Sequence, residues 1–287
     1  MSSLRGCGDT IIDLEPIHYH IQTWGDRPQT EADPLGQPTV LFLHGFMGCA
    51  QDYAAIAAQI SRRYYCIAVD LPGHGQTRTA QTHYTLETIA QSLRQLVEQW
   101  QVTPCHLVGY SMGGRLALYL ALHSPQVWNR VVLESASPGL ATAGEQQQRR
   151  QRDGLLAERL GAMKSGSGEF AAFLNAWYGQ PLFARIQQHQ DYAALLLRRR
   201  RNCPTELARS LRYLGLGSQP SLWNQLSQCS VPTLLLVGEQ DRKFVDINQQ
   251  MRDRNARFQL AIGPNCGHVV HFEAADFYLA SLRQFLP

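Results

Sequence analysis

The seven residues Gly109-Tyr110-Ser111-Met112-Gly113-Gly114-Arg115 decide the fold of this chain. An apolar run at 105–108 precedes them and predicts a buried strand, and a second apolar run at 116–122 follows and predicts a buried helix. A serine with glycine two residues away on either side, between a strand and a helix, is typical of a strained turn that exposes a nucleophilic hydroxyl. Such a turn leaves almost no room for neighbouring side chains, which explains the glycines. Taken alone, the pattern also fits an ordinary glycine-rich turn with an idle serine.

Predicted strands and helices alternate on both sides of this turn. Apolar residues at helical spacing over 85–101, with Thr85 as the N-terminal cap, predict a helix. Strands are predicted at 17–24, 39–43, 65–69, 131–133, 231–238 and 257–262. Several of these are continuous apolar runs, which are typical of strands covered on both faces. The sequence therefore predicts an α/β fold with a doubly wound, mostly parallel sheet.

The alternation stops in the middle of the chain. From 138 to 227 the sequence shows helical signals and no clear strand, and it is rich in arginine, glutamine and aromatic residues. We therefore expect a core in two parts, 1–137 and 228–287, with an inserted helical lid at 138–227.

Two polar residues complete a candidate catalytic set with the serine. Asp241 lies just past the predicted strand at 231–238, and His268 lies in the loop after the last predicted strand. The carboxyl ends of parallel strands meet at one edge of a sheet, so both side chains are expected beside Ser111. In this interpretation His268 accepts the Ser111 proton, while Asp241 fixes the imidazole tautomer and stabilises the imidazolium. Alone, Asp241 also fits a solvated loop residue, and His268 also fits a residue at a helix entry.

Backbone N–H groups near the serine predict an oxyanion hole. One belongs to Met112, the residue after the serine, and the other to Phe46, in the loop after the first parallel strand. Of the other histidines, His271 is a weaker candidate for the base because it lies nearer the apolar start of the closing helix. His44 is expected to shape its loop rather than titrate, and His74 fits either role.

Composition limits the classes of function. The chain has 287 residues, 44% hydrophobic and 17% charged, which suits a globular enzyme with one large α/β domain. A net charge of +3 is too small to indicate nucleic-acid binding. Seven cysteines without C-x-x-C spacing favour a reducing cytosol over a disulfide framework. Residues 1–9 lack the apolar core of a signal peptide, no apolar run is long enough for a membrane span, and no spacing indicates metal ligands. We expect a cytoplasmic protein without metal or cofactor, and a monomer is favoured although nothing fixes the oligomeric state.

The motifs after successive strands resemble those of the α/β-hydrolase superfamily across essentially the whole chain, including the chain order Ser, Asp, His. Within it, the chain is similar to the 2-succinyl-6-hydroxy-2,4-cyclohexadiene-1-carboxylate synthases, which are lyases of menaquinone and phylloquinone biosynthesis. In the core the resemblance rests on His44-Gly45-Phe46-Met47-Gly48, on Asp70-Leu71-Pro72-Gly73-His74-Gly75 and on the serine turn ending in Arg115. In the lid it rests on 137–140, on Arg149 with Asp153, and on Trp177-Tyr178-Gly179-Gln180-Pro181-Leu182-Phe183.

The resemblance implies a small-molecule substrate with three carboxylates. This substrate is a cyclohexene that bears a carboxylate, a succinyl ketone and an enolpyruvyl ether. The reaction removes a ring proton next to the succinyl ketone and expels pyruvate across the ring double bond, without consuming water. Arginine can bind a carboxylate through two parallel hydrogen bonds, so arginines are expected around this substrate. The positions that match the family's substrate-binding residues are Tyr110, Arg115, Arg149, Trp177 and Arg198.

Several of these assignments have alternatives. Arg115 can extend to the surface, although a charge beside an apolar helix favours a polar pocket. Arg149 lies in a basic cluster in which the register can slip. Arg198 opens the run 198–201, most of which is expected on the solvated surface, and Arg201 is the second candidate there. Tyr110 and Trp177 also fit a role in packing the hydrophobic core.

Two other classes of function stay open at this point. The first is a serine hydrolase on the same fold, either an esterase or a carbon–carbon bond hydrolase, because one fold hosts many chemistries. An esterase for neutral esters has little use for Arg115 and an arginine-rich lid, and activity on a chromogenic ester would favour it. The second is a non-enzymatic receptor or scaffold, which has no need to keep Ser111, Asp241 and His268 together.

Overall fold

The structure, a computed structural model, describes residues 7–28 and 37–287. In this part of the chain the strands are β1 (Gly8–Leu14), β2 (Ile17–Trp24), β3 (Thr39–Leu43), β4 (Tyr65–Val69), β5 (Arg78–Thr79), β6 (Cys105–Tyr110), β7 (Trp128–Glu134), β8 (Thr233–Gly238) and β9 (Phe258–Gly263). The helices are α1 (Ala54–Ile60), α2 (Leu86–Gln99), α3 (Met112–His123), α4 (Ala143–Gly161), α5 (Gly168–Tyr178), α6 (Tyr192–Arg199), α7 (Pro204–Leu214), α8 (Arg242–Arg252), α9 (Val270–Glu273) and α10 (Ala275–Phe285).

The strands form one mixed sheet in the order β1-β2-β4-β3-β6-β7-β8-β9, with β5 paired to β2. Pairing is parallel from β4 through β3, β6, β7 and β8 to β9. It is antiparallel at the β1, β2 and β5 end. The predicted α/β fold with a mostly parallel sheet is confirmed.

Side chains of β3 show why the sheet needs helices on both faces. Leu41 and Leu43 pack into one hydrophobic cluster with residues of α2 and α3. Val40 and Phe42 point the other way and pack with residues of α1 and α10. Because successive side chains of a strand alternate between faces, a continuous apolar run is buried only when both faces are covered.

Local sequence signals set most element boundaries. The strands predicted at 17–24, 39–43 and 65–69 have those bounds in the structure. The hydroxyl of Thr85 accepts the N–H of Thr88 at 3.2 Å and caps α2, as predicted. The sequence patterns did not predict β1 or α8, and β1 is a largely exposed edge strand whose residues lack a buried apolar stripe.

Residues 138–227 contain four α-helices, α4 to α7, and short 3₁₀ turns, with no strand. Phe170, Leu174 and Leu207 form a small hydrophobic cluster in this segment. The cluster includes Met47, from the loop after β3, so the helical segment packs on the edge of the sheet where the parallel strands end. The exact division at 137 and 228 stays a prediction.

No helix within the described ranges is long and apolar enough to cross a membrane. The predicted absence of a signal peptide concerns residues 1–9, of which 1–6 lie outside the described residues. The cytoplasmic location and the oligomeric state stay predictions.

Candidate active site

Ser111 lies at the tight turn between β6 and α3. Its backbone has a φ of 49° and a ψ of −105°, a conformation that residues with a side chain rarely adopt. A Cβ at Gly109 would lie 2.5 Å from the carbonyl oxygen of Gly113, and one at Gly113 would lie 2.2 Å from that of Leu43. Gly109 and Gly113 are therefore needed because other backbone segments approach them closely. The unusual φ angle belongs to Ser111 and not to either glycine.

The structure brings Ser111, His268 and Asp241 together in a hydrogen-bonded row. The distance from His268 Nδ1 to Asp241 Oδ2 is 2.6 Å, and that from His268 Nε2 to Ser111 Oγ is 3.3 Å. His268 and Asp241 are both buried. Asp241 precedes α8 just after β8, and His268 follows β9, so both lie at the carboxyl edge of the sheet. With Nδ1–H donated to Asp241, Nε2 is free to accept a proton from the serine hydroxyl.

The backbone N–H groups of Phe46 and Met112 belong to residues that line the same pocket as Ser111. Neither N–H donates a hydrogen bond to another group within the described residues. The loop that carries Phe46 is fixed against α3, because the Gly113 N–H donates to the carbonyl oxygen of His44 at 3.1 Å. Two unpaired donors on rigid backbone beside a nucleophile are able to hold an oxyanion.

His44 and His74 are buried and serve the loops around the site. The Nε2 atom of His44 accepts the N–H of Leu71 at 2.9 Å, and its Nδ1–H donates to the carbonyl oxygen of Gly45 at 2.7 Å. Burial lowers the pKa of His44, and it lowers the pKa of His74 further. Both rings are therefore neutral near pH 7, and His44 holds two loops together.

A cavity of about 520 Å³ opens onto this row. Its walls come from the loop after β3, from α3, from the helical segment 138–227 and from α8. Five cationic side chains line it against two carboxylates outside the row; these residues are Arg115, Arg149, Arg152, Arg199, Lys243, Asp52 and Asp153. The excess of positive charge suits an anionic ligand.

Arg115 lies on the wall of this cavity and is only 9% exposed. It donates to the side-chain oxygen of Gln219 at 2.7 Å and to the carbonyl oxygen of Leu214 at 2.8 Å. Both partners are neutral, and no carboxylate pairs with this guanidinium among the described residues. Burial and the nearby Arg149 lower the pKa of Arg115 to about 10. The structure thus places Arg115 in the pocket rather than at the surface.

Arg149, Trp177 and Tyr110 also line the cavity, as the resemblance implies. Arg149 is partly exposed and donates to Asp153 at 2.8 Å, so its charge already has a partner. Trp177 packs edge-on against Phe46, with ring centroids 5.5 Å apart. The Tyr110 ring lies edge-on to the imidazole of His268, with ring centroids 5.4 Å apart.

The expectation for Arg198 needs correction. Arg199, not Arg198, lines the cavity and is buried, whereas Arg200 and Arg201 are exposed. The buried face of α6 explains the register, because Leu195 and Arg199 are four residues apart and lie on the same side of the helix. Arg198 is only partly buried, and its Nε lies 3.3 Å from Oδ1 of Asp52, an oxygen that it shares with Arg199.

Asp52 is the buried carboxylate that forms an ion pair with Arg199 of α6. Its two oxygens lie 2.9 and 2.8 Å from the two terminal nitrogens of Arg199. The same side chain accepts the N–H of Cys49 at 3.1 Å. Arg199 also donates to the hydroxyl of Tyr178 at 2.9 Å. The ion pair therefore fixes α6 to the loop after β3.

Arg199, Asp52 and Lys243 also line the cavity, and the sequence patterns did not predict them as site residues. For Arg199 a signal was available, because it lies four residues after the apolar Leu195 and therefore on the same face of α6. Asp52 and Lys243 carried no local signal, because only the tertiary fold brings them to the cavity wall. The side chain of Asp52 is buried there, and Lys243 stays exposed. Within 7–28 and 37–287, no group of three or more His, Cys, Asp or Glu side chains could hold a metal ion.

Comparisons with known proteins agree with this architecture. The α/β hydrolase fold family matches residues 38–275. The 2-succinyl-6-hydroxy-2,4-cyclohexadiene-1-carboxylate synthase of Serratia proteamaculans is 35% identical over 260 residues, which cover 90% of this chain and 95% of that protein. The synthase of the same name from Escherichia coli O1:K1 is 33% identical and covers 88% of this chain and 94% of its own length. The structure of MenH from S. aureus superposes with a TM-score of 0.83 at 30% identity, over 93% of this chain and 97% of that one.

The matches extend over nearly the full length of both partners and include the core and the helical segment. The chain therefore belongs to the α/β hydrolase fold family and, within it, to the 2-succinyl-6-hydroxy-2,4-cyclohexadiene-1-carboxylate synthase family of enzymes.

Proposed function

We propose that this enzyme eliminates pyruvate from 2-succinyl-5-enolpyruvyl-6-hydroxy-3-cyclohexene-1-carboxylate and releases 2-succinyl-6-hydroxy-2,4-cyclohexadiene-1-carboxylate, a step of menaquinone or phylloquinone biosynthesis. One observation carries the proposal: an excess of cationic side chains lines the cavity onto which Ser111 and His268 open, with Asp241 bound behind His268. A substrate with three carboxylates needs such a lining, whereas a neutral ester does not.

The proposed base is the Ser111–His268 pair. Ser111 Oγ, with His268 Nε2 at 3.3 Å, takes the ring proton next to the succinyl ketone, and the proton passes to the imidazole. Asp241 Oδ2, 2.6 Å from Nδ1, stabilises the imidazolium that forms. The electron pair of the C–H bond moves into the ketone and creates an enolate.

The proposed oxyanion hole receives that charge. The N–H groups of Phe46 and Met112 donate to the enolate oxygen, which lowers the barrier to its formation. The enolate then collapses across the ring double bond and breaks the bond to the enolpyruvyl oxygen. The departing enolpyruvate takes a proton and becomes pyruvate, so the atoms balance without water.

Three arginines are proposed to bind the carboxylates. Arg115 is the strongest candidate because its hydrogen-bond partners are neutral and no carboxylate pairs with it directly among the described residues. Arg149 and Arg199 already pair with Asp153 and Asp52, so each shares its guanidinium between a protein carboxylate and the substrate. Trp177 and Tyr110 form the apolar wall of the proposed site.

The test is an assay of the purified protein with the enolpyruvyl substrate. We expect pyruvate and the ring diene in equal amounts, and Ser111→Ala should lower kcat by several orders of magnitude because a triad acts as a unit. Circular dichroism should show that the variant is folded, since the glycines of the turn are untouched. Near-normal turnover by Ser111→Ala would remove Ser111 from the mechanism.

Mass spectrometry of the protein during turnover separates elimination from hydrolysis. Elimination needs no covalent intermediate, so the protein should keep its unmodified mass throughout. An adduct on Ser111 with the true substrate, or uptake of oxygen from labelled water into a product, would favour a serine hydrolase instead.

A further inference from the structure

Glu134, the last residue of β7, is a completely buried carboxylate that the proposed reaction does not use. One of its oxygens accepts the backbone N–H of His271 at 3.0 Å. The other lies 2.8 Å from Nδ1 of the same histidine. The pair joins β7 to α9, which begins two residues after His268. Glu134 thus binds both the main chain and the side chain of His271, three residues after His268.

The main chain of Glu134 holds the nucleophile as well. Its carbonyl oxygen accepts the backbone N–H of Ser111 at 2.9 Å. Tyr110, the residue before the serine, pairs with Glu134 in the register of β6 and β7. One residue therefore fixes both partners of the 3.3 Å contact between Ser111 Oγ and His268 Nε2.

The surroundings of Glu134 are unusual for a buried acid. His271 is the only basic side chain that pairs with it in the described residues. The imidazole is enclosed by aromatic rings, with Tyr53 stacked at 5.1 Å and Tyr110 edge-on at 5.1 Å. A buried polar pair is often no more stable than an apolar pair of the same volume, so its presence calls for a role other than stability.

A second route of contact runs through the aromatic ring of Tyr110. This ring lies 5.1 Å from His271 and 5.4 Å from His268, measured between ring centroids. A Cβ on Gly45 would lie only 2.6 Å from the same ring, so the ring has no space to move toward the loop after β3. We therefore expect a displacement of His271 to reach His268 through this ring.

We propose that the Glu134–His271 pair is a positioning unit that sets the distance between Ser111 Oγ and His268 Nε2. The proposal rests on the role proposed above for Ser111 and His268, but it does not depend on the identity of the substrate. Glu134 does not line the cavity, and His271 lines it with its Nδ1 bound to Glu134 rather than to Ser111 or His268. A displacement of about 1 Å between reacting groups can cost on the order of 10²-fold in rate.

The experiment measures the reactivity of Ser111 with a fluorophosphonate. The Ser111 oxygen forms a bond to phosphorus, fluoride leaves, and the hydroxyl proton passes to His268. The labelling rate therefore reports the Ser111–His268 contact without any substrate. We expect Glu134→Leu and His271→Leu to slow labelling about 10- to 100-fold. His271→Asn, which keeps an N–H donor near the position of Nδ1, should recover most of the rate.

Steady-state kinetics with the enolpyruvyl substrate add a second readout. The leucine variants should lower kcat by the same factor as labelling. KM should change little, because Glu134 is completely buried and His271, although it lines the cavity, has its Nδ1 bound to Glu134. A raised KM with normal kcat and normal labelling would overturn the proposal, since it would assign the pair to substrate binding.

His20 provides a matched control. Its Nδ1 lies 2.8 Å from the buried carboxylate of Asp70, so it is also a buried histidine held by an acid. His20→Leu should lower the melting temperature as His271→Leu does, but it should label at the wild-type rate. If Glu134→Leu does not fold, the His271 variants decide the question.

Two outcomes separate this inference from the proposed function. Wild-type labelling rates in folded His271→Leu would overturn the positioning role alone. A wild-type protein that resists the fluorophosphonate would overturn the proposed role of Ser111, and the positioning role with it.

Discussion

At the scale of single residues, Ser111 combines a partly buried position on the cavity wall with a strained backbone. Its φ of 49° lies where a Cβ is disfavoured, and the turn is held there by hydrogen bonds of the serine N–H to Glu134 and of the Arg115 N–H to the serine carbonyl oxygen. The strain is part of the device that lifts the hydroxyl out of the sheet.

This strain leads to a prediction about stability. Ser111→Gly should be more stable than Ser111→Ala by about 1 kcal/mol, because glycine adopts this φ without the steric cost that alanine pays. Both variants should be inactive. Urea unfolding of the two proteins measures the difference, and an alanine variant as stable as the glycine variant would show that the backbone relaxes.

Arg115 supports a second prediction, which concerns activity. Arg115→Ala should cost about 2–5 kcal/mol in kcat/KM, because a substrate carboxylate is left unpaired in a desolvated site. Arg115→Lys should recover only part of this, since an ammonium lacks the planar fork of the guanidinium. Unchanged kcat/KM in Arg115→Ala would contradict the tricarboxylate pocket.

The arginine run gives this prediction an internal control. Arg199→Ala should lower kcat/KM strongly because Arg199 lines the cavity, while exposed Arg200→Ala should have little effect. Arg149→Ala should have a smaller effect than Arg115→Ala, because the Arg149 side chain is 39% exposed and water partly screens its charge. Equal losses in Arg199→Ala and Arg200→Ala would contradict the register of α6.

At the scale of elements, α6 is fixed to the core by its buried face. The ion pair of Arg199 with Asp52 lies beside a second link, in which Asn202 donates to the carbonyl oxygen of Met47 at 2.8 Å and accepts the N–H of Gly75 at 2.9 Å. This corner of the helical segment therefore contacts two loops that follow parallel strands.

The ion pair predicts a dependence of stability on pH. Burial alone would raise the pKa of Asp52, but Arg199 and Arg198 outweigh it and lower the pKa to about 2, from an ordinary value of 3.8. A lowered carboxyl pKa stabilises the folded state above the unfolded pKa, and this contribution is lost as pH falls through the folded pKa. The shift corresponds to about 2 kcal/mol.

We expect Asp52→Asn to lower the free energy of unfolding at pH 7, and the gap to the wild type should narrow as pH falls from about 4 toward 2. Denaturant unfolding at several pH values measures the gap. Asp253→Asn is the control, because its ion pair with Arg252 is exposed and contributes at most about 1 kcal/mol. A gap that stays constant down to pH 2 would contradict the assigned pKa.

At the scale of the whole molecule, charge is unevenly distributed. Residues 138–227 contain twelve Arg and Lys against six Asp and Glu, a net charge of +6, while the rest of the chain has a net charge of −3. A positive segment beside the cavity attracts an anionic substrate over a distance that salt limits to about 10 Å at 0.1 M.

The charge distribution predicts a salt effect on kcat/KM. Raising the ionic strength should lower kcat/KM more than kcat, because salt screens the approach of the proposed trianionic substrate. Arg200→Glu with Arg201→Glu, two exposed positions outside the cavity, should reduce both kcat/KM and its salt dependence. A kcat/KM that does not respond to salt would show that the long-range field plays no part.

The sequence by itself determined most strands of the parallel sheet and the order in which they follow along the chain, although it did not predict β1 or α8. Continuous apolar runs predicted the parallel strands at 39–43 and 65–69, because a strand that is covered on both faces carries apolar side chains on both. The glycines around Ser111 gave the turn, since backbone contact there excludes a Cβ. The positions of Asp241 and His268 after successive strands predicted that both lie near Ser111, because parallel strands end at the same edge of the sheet.

Tertiary structure decided which charges face the cavity and what they pair with. Arg199 rather than Arg198 points inward because the buried face of α6 rests on the core, and its partner Asp52 is 147 residues away. Glu134 and His271 meet across 137 residues. Periodicity in a sequence reports which face of an element is apolar, but a polar side chain is placed by the partner that satisfies it, and only the packed fold brings that partner near.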